Sequence, residues 1–424
     1  MINWLTHYWD NYQLALAIRK GQSSQARALL QKLERSGKKL SCLASLYQQQ
    51  LQTKTTLNYY RQETSRLQQH LQAIAPQAAF LTPQQEFIDY INRCFQLKQI
   101  DSGLIQVTGI ESSNFLALET SLVDFVTIEL NKVSAAKRDR ELSLALADLA
   151  GLKQGIDPEY NCRLTPHVYF LKYFLDNVYC LFLAWYLIYQ QGLLPQKLKV
   201  LDLAAGMGTS IFGLSLLLSS KQQFDRHSTL EVNYYSLELQ ADLQYRGLQF
   251  WRKYVQTCSH PLNTYFQFNT VNLFDYDRYQ HQLPPSYFDL IIIAHCFFYE
   301  LKPRQASNQV YRQIFQQSLN CNGYVLLIIQ GKKLFNAYDT PINEDLTIEQ
   351  QIVQMFVTEL GLKLVWYQYL SSTGKRTANK TNFPEFARNN LPVQKHLSKI
   401  NQVFLQQNYR SHYAIDDYVI LAKL

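Results

Sequence analysis

The sequence predicts an α/β protein in which an all-helical first half precedes a largely parallel sheet of seven strands. Three observations carry this. Apolar residues in the first half recur at helical spacing, with few runs that read as strands. From Leu198 onward, short apolar runs alternate with helical stretches, the pattern of β-α-β units around a parallel sheet. The first of those runs leads directly into a glycine-rich turn.

Taken in order, Tyr12 to Lys20 and Ser24 to Glu34 carry apolar residues on one helical face (Leu14 and Ile18; Ala26, Leu29, Leu30 and Leu33). Gly21-Gln22-Ser23 breaks them apart, which predicts an antiparallel helix pair. Leucines and glutamines between Leu40 and Gln72 fit a long amphipathic helix, and the mixed-sign run Ala135 to Glu141 fits an exposed helical surface. Val178 to Tyr189 is apolar throughout but is cut short by Asp176, Asn177, Gln190 and Gln191. A bilayer core needs about 20 apolar residues, so a helix buried between two layers is expected, and no transmembrane segment. The seven strands are then Leu198–Leu203, Val232–Leu237, Phe266–Val271, Phe288–Ala294, Tyr324–Ile329, Leu362–Tyr369 and Tyr418–Lys423. A further helix from Pro392 to Gln407 lies inside the polar stretch that separates the last two.

A chain of 424 residues exceeds what one core usually accommodates. Two domains are therefore expected: a helical one over 1–160, and one over 161–424 in which 161–190 forms a lid and connecting helix. With 47% hydrophobic and 17% charged residues, disorder is excluded as the dominant state. The formal charge of +8 is a mild bias toward acidic partners, without the clustered stripe of a dedicated DNA binder. The seven cysteines are scattered, and no two stand at Cys-x-x-Cys spacing, so reduced thiols, a cytoplasmic protein and no metal site are expected. The N-terminus lacks the apolar stretch of a secretory signal.

The chemistry begins where the first strand ends. Asp202 is followed by Ala204-Ala205-Gly206-Met207-Gly208-Thr209-Ser210, and the two glycines let backbone approach a ligand with no Cβ in the way. Thr209 and Ser210 are placed to cap the next helix, whose free N–H groups would face a cofactor. The Gly-Lys-Ser/Thr of a phosphate-binding P-loop is absent. The second strand ends in Glu238, where a carboxylate can accept hydrogen bonds from ribose hydroxyls. The third leads into Val271-Asn272-Leu273-Phe274-Asp275, and the fourth opens with Asp289 and closes at Ala294-His295-Cys296.

Asp-x-Ala-x-Gly-x-Gly, with the three following signals in order, resembles the class I S-adenosylmethionine-dependent methyltransferases and departs from their first motif only at Ala204. The resemblance covers Leu198 to Leu424 and implies a Rossmann-like, seven-stranded methyltransferase sheet with S-adenosylmethionine as cofactor. It implies cofactor contacts from Asp202, Ala204, Gly206, Gly208, Thr209, Glu238, Leu273 and His295, with Asn272, or alternatively Asp275, at the adenine amino group. His295 and Tyr299, near the transferred methyl, are the catalytic candidates. Cys296 is similar in position to the nucleophile of pyrimidine-C5 methyltransferases. His295 stands where their proline would be, so Cys296 is expected to pack.

The methyl acceptor is not identified by any motif; a small metabolite, a protein and RNA all stay open. In the implied fold the 371–411 insertion borders the substrate cleft. Its Lys375, Arg376, Lys380, Arg388, Lys395, Lys399 and Arg410 would suit RNA or another anionic acceptor. The alternative is a non-catalytic binding or assembly protein that keeps the cofactor fold and acts through its helical half. A nicotinamide oxidoreductase is disfavoured by the acid at the end of the first strand.

Overall fold

The computed structural model describes residues 2–424 apart from 21, 37–40, 42–43, 46–47, 49–79, 155–157, 159, 161, 226–228, 258–261, 299 and 378–381. The chain forms two compact units, Met1–Gln77 and Ala78–Leu424. In the first, helices α1 (Ile2–Arg19) and α2 (Ser23–Arg35) pack Leu14 and Ala17 against Ala26, Leu30 and Leu33. The Lys32 ammonium meets Asp10 at 2.9 Å. Both predicted helices are present, α1 beginning earlier than its apolar spacing indicates. The helix expected over Leu40 to Gln72 falls largely outside the described residues.

The second unit is α/β, with a mixed sheet of nine strands rather than seven. In chain order they are β1 (Lys98–Gln99), β2 (Leu104–Gln106), β3 (Lys197–Leu203), β4 (Leu230–Glu238), β5 (Leu262–Thr270), β6 (Phe288–Ala294), β7 (Leu319–Gln330), β8 (Lys363–Ser371) and β9 (Asp416–Lys423). Their spatial order is β1-β2-β8-β9-β7-β6-β3-β4-β5. Strands β5, β4, β3, β6 and β7 are mutually parallel, whereas β9 runs antiparallel to both its neighbours, β7 and β8.

The seven strands read from sequence correspond to β3 through β9. The two additional ones come from the half expected to be all-helical. At two and three residues they are too short to show a period, and β2 exists because Leu104, Ile105 and Gln106 find Tyr369, Leu370 and Ser371 of β8.

The chain likewise divides after Gln77 and not near residue 160. Helices α3 (Gln85–Cys94), α4 (Ser112–Asn131) and α5 (Ala135–Leu149) follow that division. Their Phe87, Ile91, Phe115, Leu122 and Leu142 share one core with the sheet, so no separate helical domain can end at 160.

Alternate residues of each strand feed opposite faces, and both faces are covered, as a largely parallel sheet requires. Val200, Val232, Ile292, Ile328 and Val419 enter the core beneath α3–α5. Leu201, Leu237, Ile293, Leu327 and Ile420 enter the opposite core.

After the short α6 (Thr165–Tyr169) and one π-helical turn (Phe170–Phe174) comes α7 (Leu175–Gln190), in which every residue from Val178 to Tyr189 is buried. Thr165–Gln190 is long and apolar enough to cross a membrane, yet 78% of its most apolar window lies inside the protein. Aromatic packing accounts for this: Phe182 stacks on Phe95 at 4.8 Å between centroids, and Tyr189 meets Phe87 edge-on at 5.4 Å. It is a core helix. The remaining helices are α8 (Thr209–Lys221), α9 (Ala241–Thr257), α10 (Tyr276–Tyr279), α11 (Leu301–Ser318), α12 (Gly331–Asn336), α13 (Leu346–Glu359), α14 (Phe383–Asn390) and α15 (Lys395–Leu405).

Candidate functional site

Strand order reverses at β3, which has β4 on one side and β6 on the other. In open sheets of this kind the connections leaving such a pair diverge to opposite faces and leave a crevice at the carboxyl ends, where ligands bind. A cleft opens at that place. Asp202, Ala204–Met207 and Thr209 line it from the β3 turn, Ala294 and His295 from the end of β6, and Tyr169, Asn177 and Leu181 from α6 and α7.

The turn after β3 is left-handed at Ala204 (φ 52°), Gly206 (φ 55°) and Gly208 (φ 74°). Ala204, the one departure from the glycine motif, thus holds a conformation that favours glycine, at a cost on the order of 1–2 kcal/mol. A Cβ added to Gly206 would meet nothing within 4 Å, so that face of the backbone is open. Gly208, the N-cap of α8, also has left-handed geometry.

Asp202 is 3% exposed. Its carboxylate accepts hydrogen bonds from the Ser210 hydroxyl and, at 2.5 Å, from the Tyr234 hydroxyl. Burial, reinforced by the nearby Glu238, pushes its pKa up to about 6 against those two donors. The sequence suggested a helix cap for Ser210. The structure instead turns the Ser210 side chain back to Asp202, and no side chain caps α8.

Glu238 is the carboxylate that meets the loop: Oε2 accepts from the Gly206 amide at 2.7 Å and Oε1 from the Gln240 amide at 2.8 Å.

Asn272 and Leu273 lie at the end of β5 and do not line the cleft. Asn272 is exposed and its Oδ1 accepts from the Phe274 amide at 3.1 Å. His295 does line it, in left-handed backbone (φ 61°), with its amide bound to the Ile328 carbonyl at 2.8 Å. Its Nδ1 lies 3.6 Å from Asp417 Oδ1, and burial holds its pKa below the ordinary histidine value against the pull of Asp417. Tyr299 lies outside the described residues. Cys296 packs against the second core, and its carbonyl accepts from Tyr311 at 2.9 Å.

Sequence reasoning missed Asn177, whose amide donates to the Tyr169 hydroxyl at 3.3 Å across the cleft wall. It also missed Gly247, where a Cβ would come within 2.3 Å of the Met207 carbonyl, so only glycine lets α9 sit against the turn. An unexplained glycine inside an amphipathic helix was the available signal, since it costs about 1 kcal/mol relative to alanine.

The basic insertion is corrected at one position. Arg376 is buried and clamped between Asp101 and Glu349, so it offers no surface charge. Lys375, Arg388, Lys395, Lys399 and Arg410 are exposed, and Lys380 lies outside the described residues.

Charged lining in the cleft comes from Asp202, with Glu238 at its rim, and no lysine or arginine lines it among the described residues. Such a site suits a cation. No protein-family profile matches the sequence, and no curated protein matches it. Solved structures to which the chain is similar include an S-adenosylmethionine-dependent methyltransferase from Methanosarcina mazei, at 13% identity over 55% of this chain and 94% of that one, with a TM-score of 0.30. A cyclopropane-fatty-acyl-phospholipid synthase-like protein from Lactobacillus casei is 11% identical over 63% of this chain and 94% of its own, with a TM-score of 0.30. A Listeria monocytogenes protein described as a class I S-adenosylmethionine-dependent methyltransferase is 11% identical over 73% and 88%, with a TM-score of 0.29. These three structures are each 11–13% identical to the chain, and two of them are described as S-adenosylmethionine-dependent methyltransferases.

Proposed function

We propose that the chain binds S-adenosylmethionine in the cleft beside β3 and transfers its methyl group to an acceptor. The observation that carries this is a glycine-turn crevice whose charged lining is acidic. A dinucleotide brings a pyrophosphate to the glycine turn, where Asp202 would repel it, whereas the sulfonium and α-amino groups of the methyl donor are positive. Glu238, at the end of β4 beside the glycine turn, is the carboxylate placed for the ribose hydroxyls, Gly206 supplies the open backbone face, and the neutral His295 imidazole a proton acceptor at the end of β6. Methyl transfer from a sulfonium needs in-line positioning and at most one proton acceptor, so this short inventory is sufficient. The exposed cations of the 371–411 insertion support an anionic acceptor, RNA included.

Calorimetric titration with S-adenosylmethionine, S-adenosylhomocysteine and NAD tests the reading, with binding of the first two and none of the third expected. Glu238→Ala should weaken binding by about 1.5–3 kcal/mol, the usual worth of a hydrogen bond to a charged group. Gly206→Leu should abolish it while the protein stays folded. Unchanged affinity in both variants, or tighter binding of NAD, would sink the assignment.

A further inference from the structure

Cys180, His295 and Asp417 come from α7, the end of β6 and the start of β9, and their ligand atoms lie within 4.8 Å of one another. We propose that they form a site for a single zinc-class divalent cation at the wall of the cleft. The donor set selects the ion: thiolate and imidazole favour zinc-like metals over magnesium or calcium, which take oxygen ligands. With Cys180 and Asp417 ionised and His295 neutral, the ligands carry two negative charges, matching a dication, and the thiol proton leaves to solvent on binding.

The framework is rigid. Asp417 sits in the ladder between Gln330 of β7 and Leu370 of β8, and His295 is tied to Ile328 through its amide. His295 Nε2 is buried and meets no hydrogen-bond partner among the described residues. Asp176, one helical turn before Cys180, brings a second carboxylate close enough to repel Asp417, and its own Oδ1 is held by the Gln394 amide at 2.7 Å. Tetrahedral zinc with these ligands sets donor separations of roughly 3.3–3.8 Å, so closing on the ion asks for side-chain shifts of about 1 Å. Three protein ligands leave one position open; His295 belongs to both the site and the cleft, and with the ion bound its imidazole is a ligand and no longer the proton acceptor. An acceptor thiol or alcohol held in the cleft is the fourth ligand this arrangement provides for, and coordination would lower its pKa.

The site is independent of the cofactor assignment, which calorimetry decides separately. The test is titration of the full-length, chelator-treated protein with Co2+ alone, followed by absorption spectroscopy. One equivalent should give intense visible d–d bands and a near-ultraviolet thiolate-to-cobalt band, both removed by Zn2+. Cys180→Ser should lose the near-ultraviolet band, and His295→Ala should weaken Co2+ binding at least tenfold. Cys94→Ser, away from the site, should keep both features. An unchanged spectrum on adding Co2+ to the wild type overturns the proposal whatever the variants do. So does a thiolate band that survives Cys180→Ser or disappears in Cys94→Ser.

Discussion

His167, on the segment that leads into α7, is 2% exposed, and neither ring nitrogen meets a partner among the described residues. Burial and then Arg246 push its pKa down to about 4, with Glu129 opposing. A histidine whose folded pKa is depressed binds fewer protons folded than unfolded. The stability tied to it is therefore full above about 6.5 and is lost as pH falls toward 4. His167→Leu should match the wild type within about 1 kcal/mol at pH 8 and exceed it by about 2 kcal/mol at pH 5. Urea denaturation at the two pH values checks this, and a stability difference that does not change with pH would falsify it. The same scale shows what a sequence cannot display. The acid-turn-glycine spacing placed Asp202, Gly206 and Glu238 at one crevice. Asp202 binds hydroxyls because Tyr234 reaches it from β4, two residues before its register partner Ser236, a placement that only the sheet sets. Cys180 and Asp417 carried no spacing signal at all, since only the fold brings them to His295.

At the scale of elements, the central strands β3, β6 and β7 were legible because they bury both faces and so read as near-continuous apolar runs. The polar stretch after β8 was not. Its cations read as a surface for an anionic acceptor, yet Arg376 folds inward to join the β1–β2 turn to α13. Its guanidinium contacts Asp101 at 2.7 Å and Glu349 at 2.5 Å, while Tyr367 and Tyr418 donate to Glu349 at 2.9 and 2.8 Å. Glu349 is fully buried. Removing its cationic partner leaves a charge with nowhere to go, so Arg376→Met should cost about 3–5 kcal/mol. Adding Glu349→Gln to that variant should restore a good part of the loss, measurable by chemical unfolding as non-additivity. A double-variant loss equal to the sum of the losses from Arg376→Met and Glu349→Gln alone would mean the two residues do not act as a pair.

At the scale of the molecule, the division after Gln77 makes its own prediction. A chain of residues 78–424 should fold and bind S-adenosylhomocysteine within about twofold of full length, a difference below about 0.4 kcal/mol. A chain of residues 161–424 should not fold, because it lacks β1, β2 and the Phe87, Phe115 and Leu142 side of the core. Expression of both fragments, followed by circular dichroism and calorimetry, separates these outcomes. Folding of the shorter fragment would restore the boundary that sequence length and helical periodicity had suggested.

Strand β9 lies between β7 and β8 although it follows both in the chain. During synthesis β7 leaves the ribosome with one edge paired to β6 and the other bare, and it stays so while everything from Gly331 to Ile415 is made. That bare edge carries Val325, Leu327 and Ile329, an apolar template of the sort that recruits other chains. Strand β2, made far earlier, cannot find its register until β8 arrives. Contacts of such long sequence separation are slow to form. The nascent protein therefore spends its period of greatest exposure with the centre of its sheet unfinished, and its yield in a cell depends on how well chaperones guard one strand edge until β9 slides in.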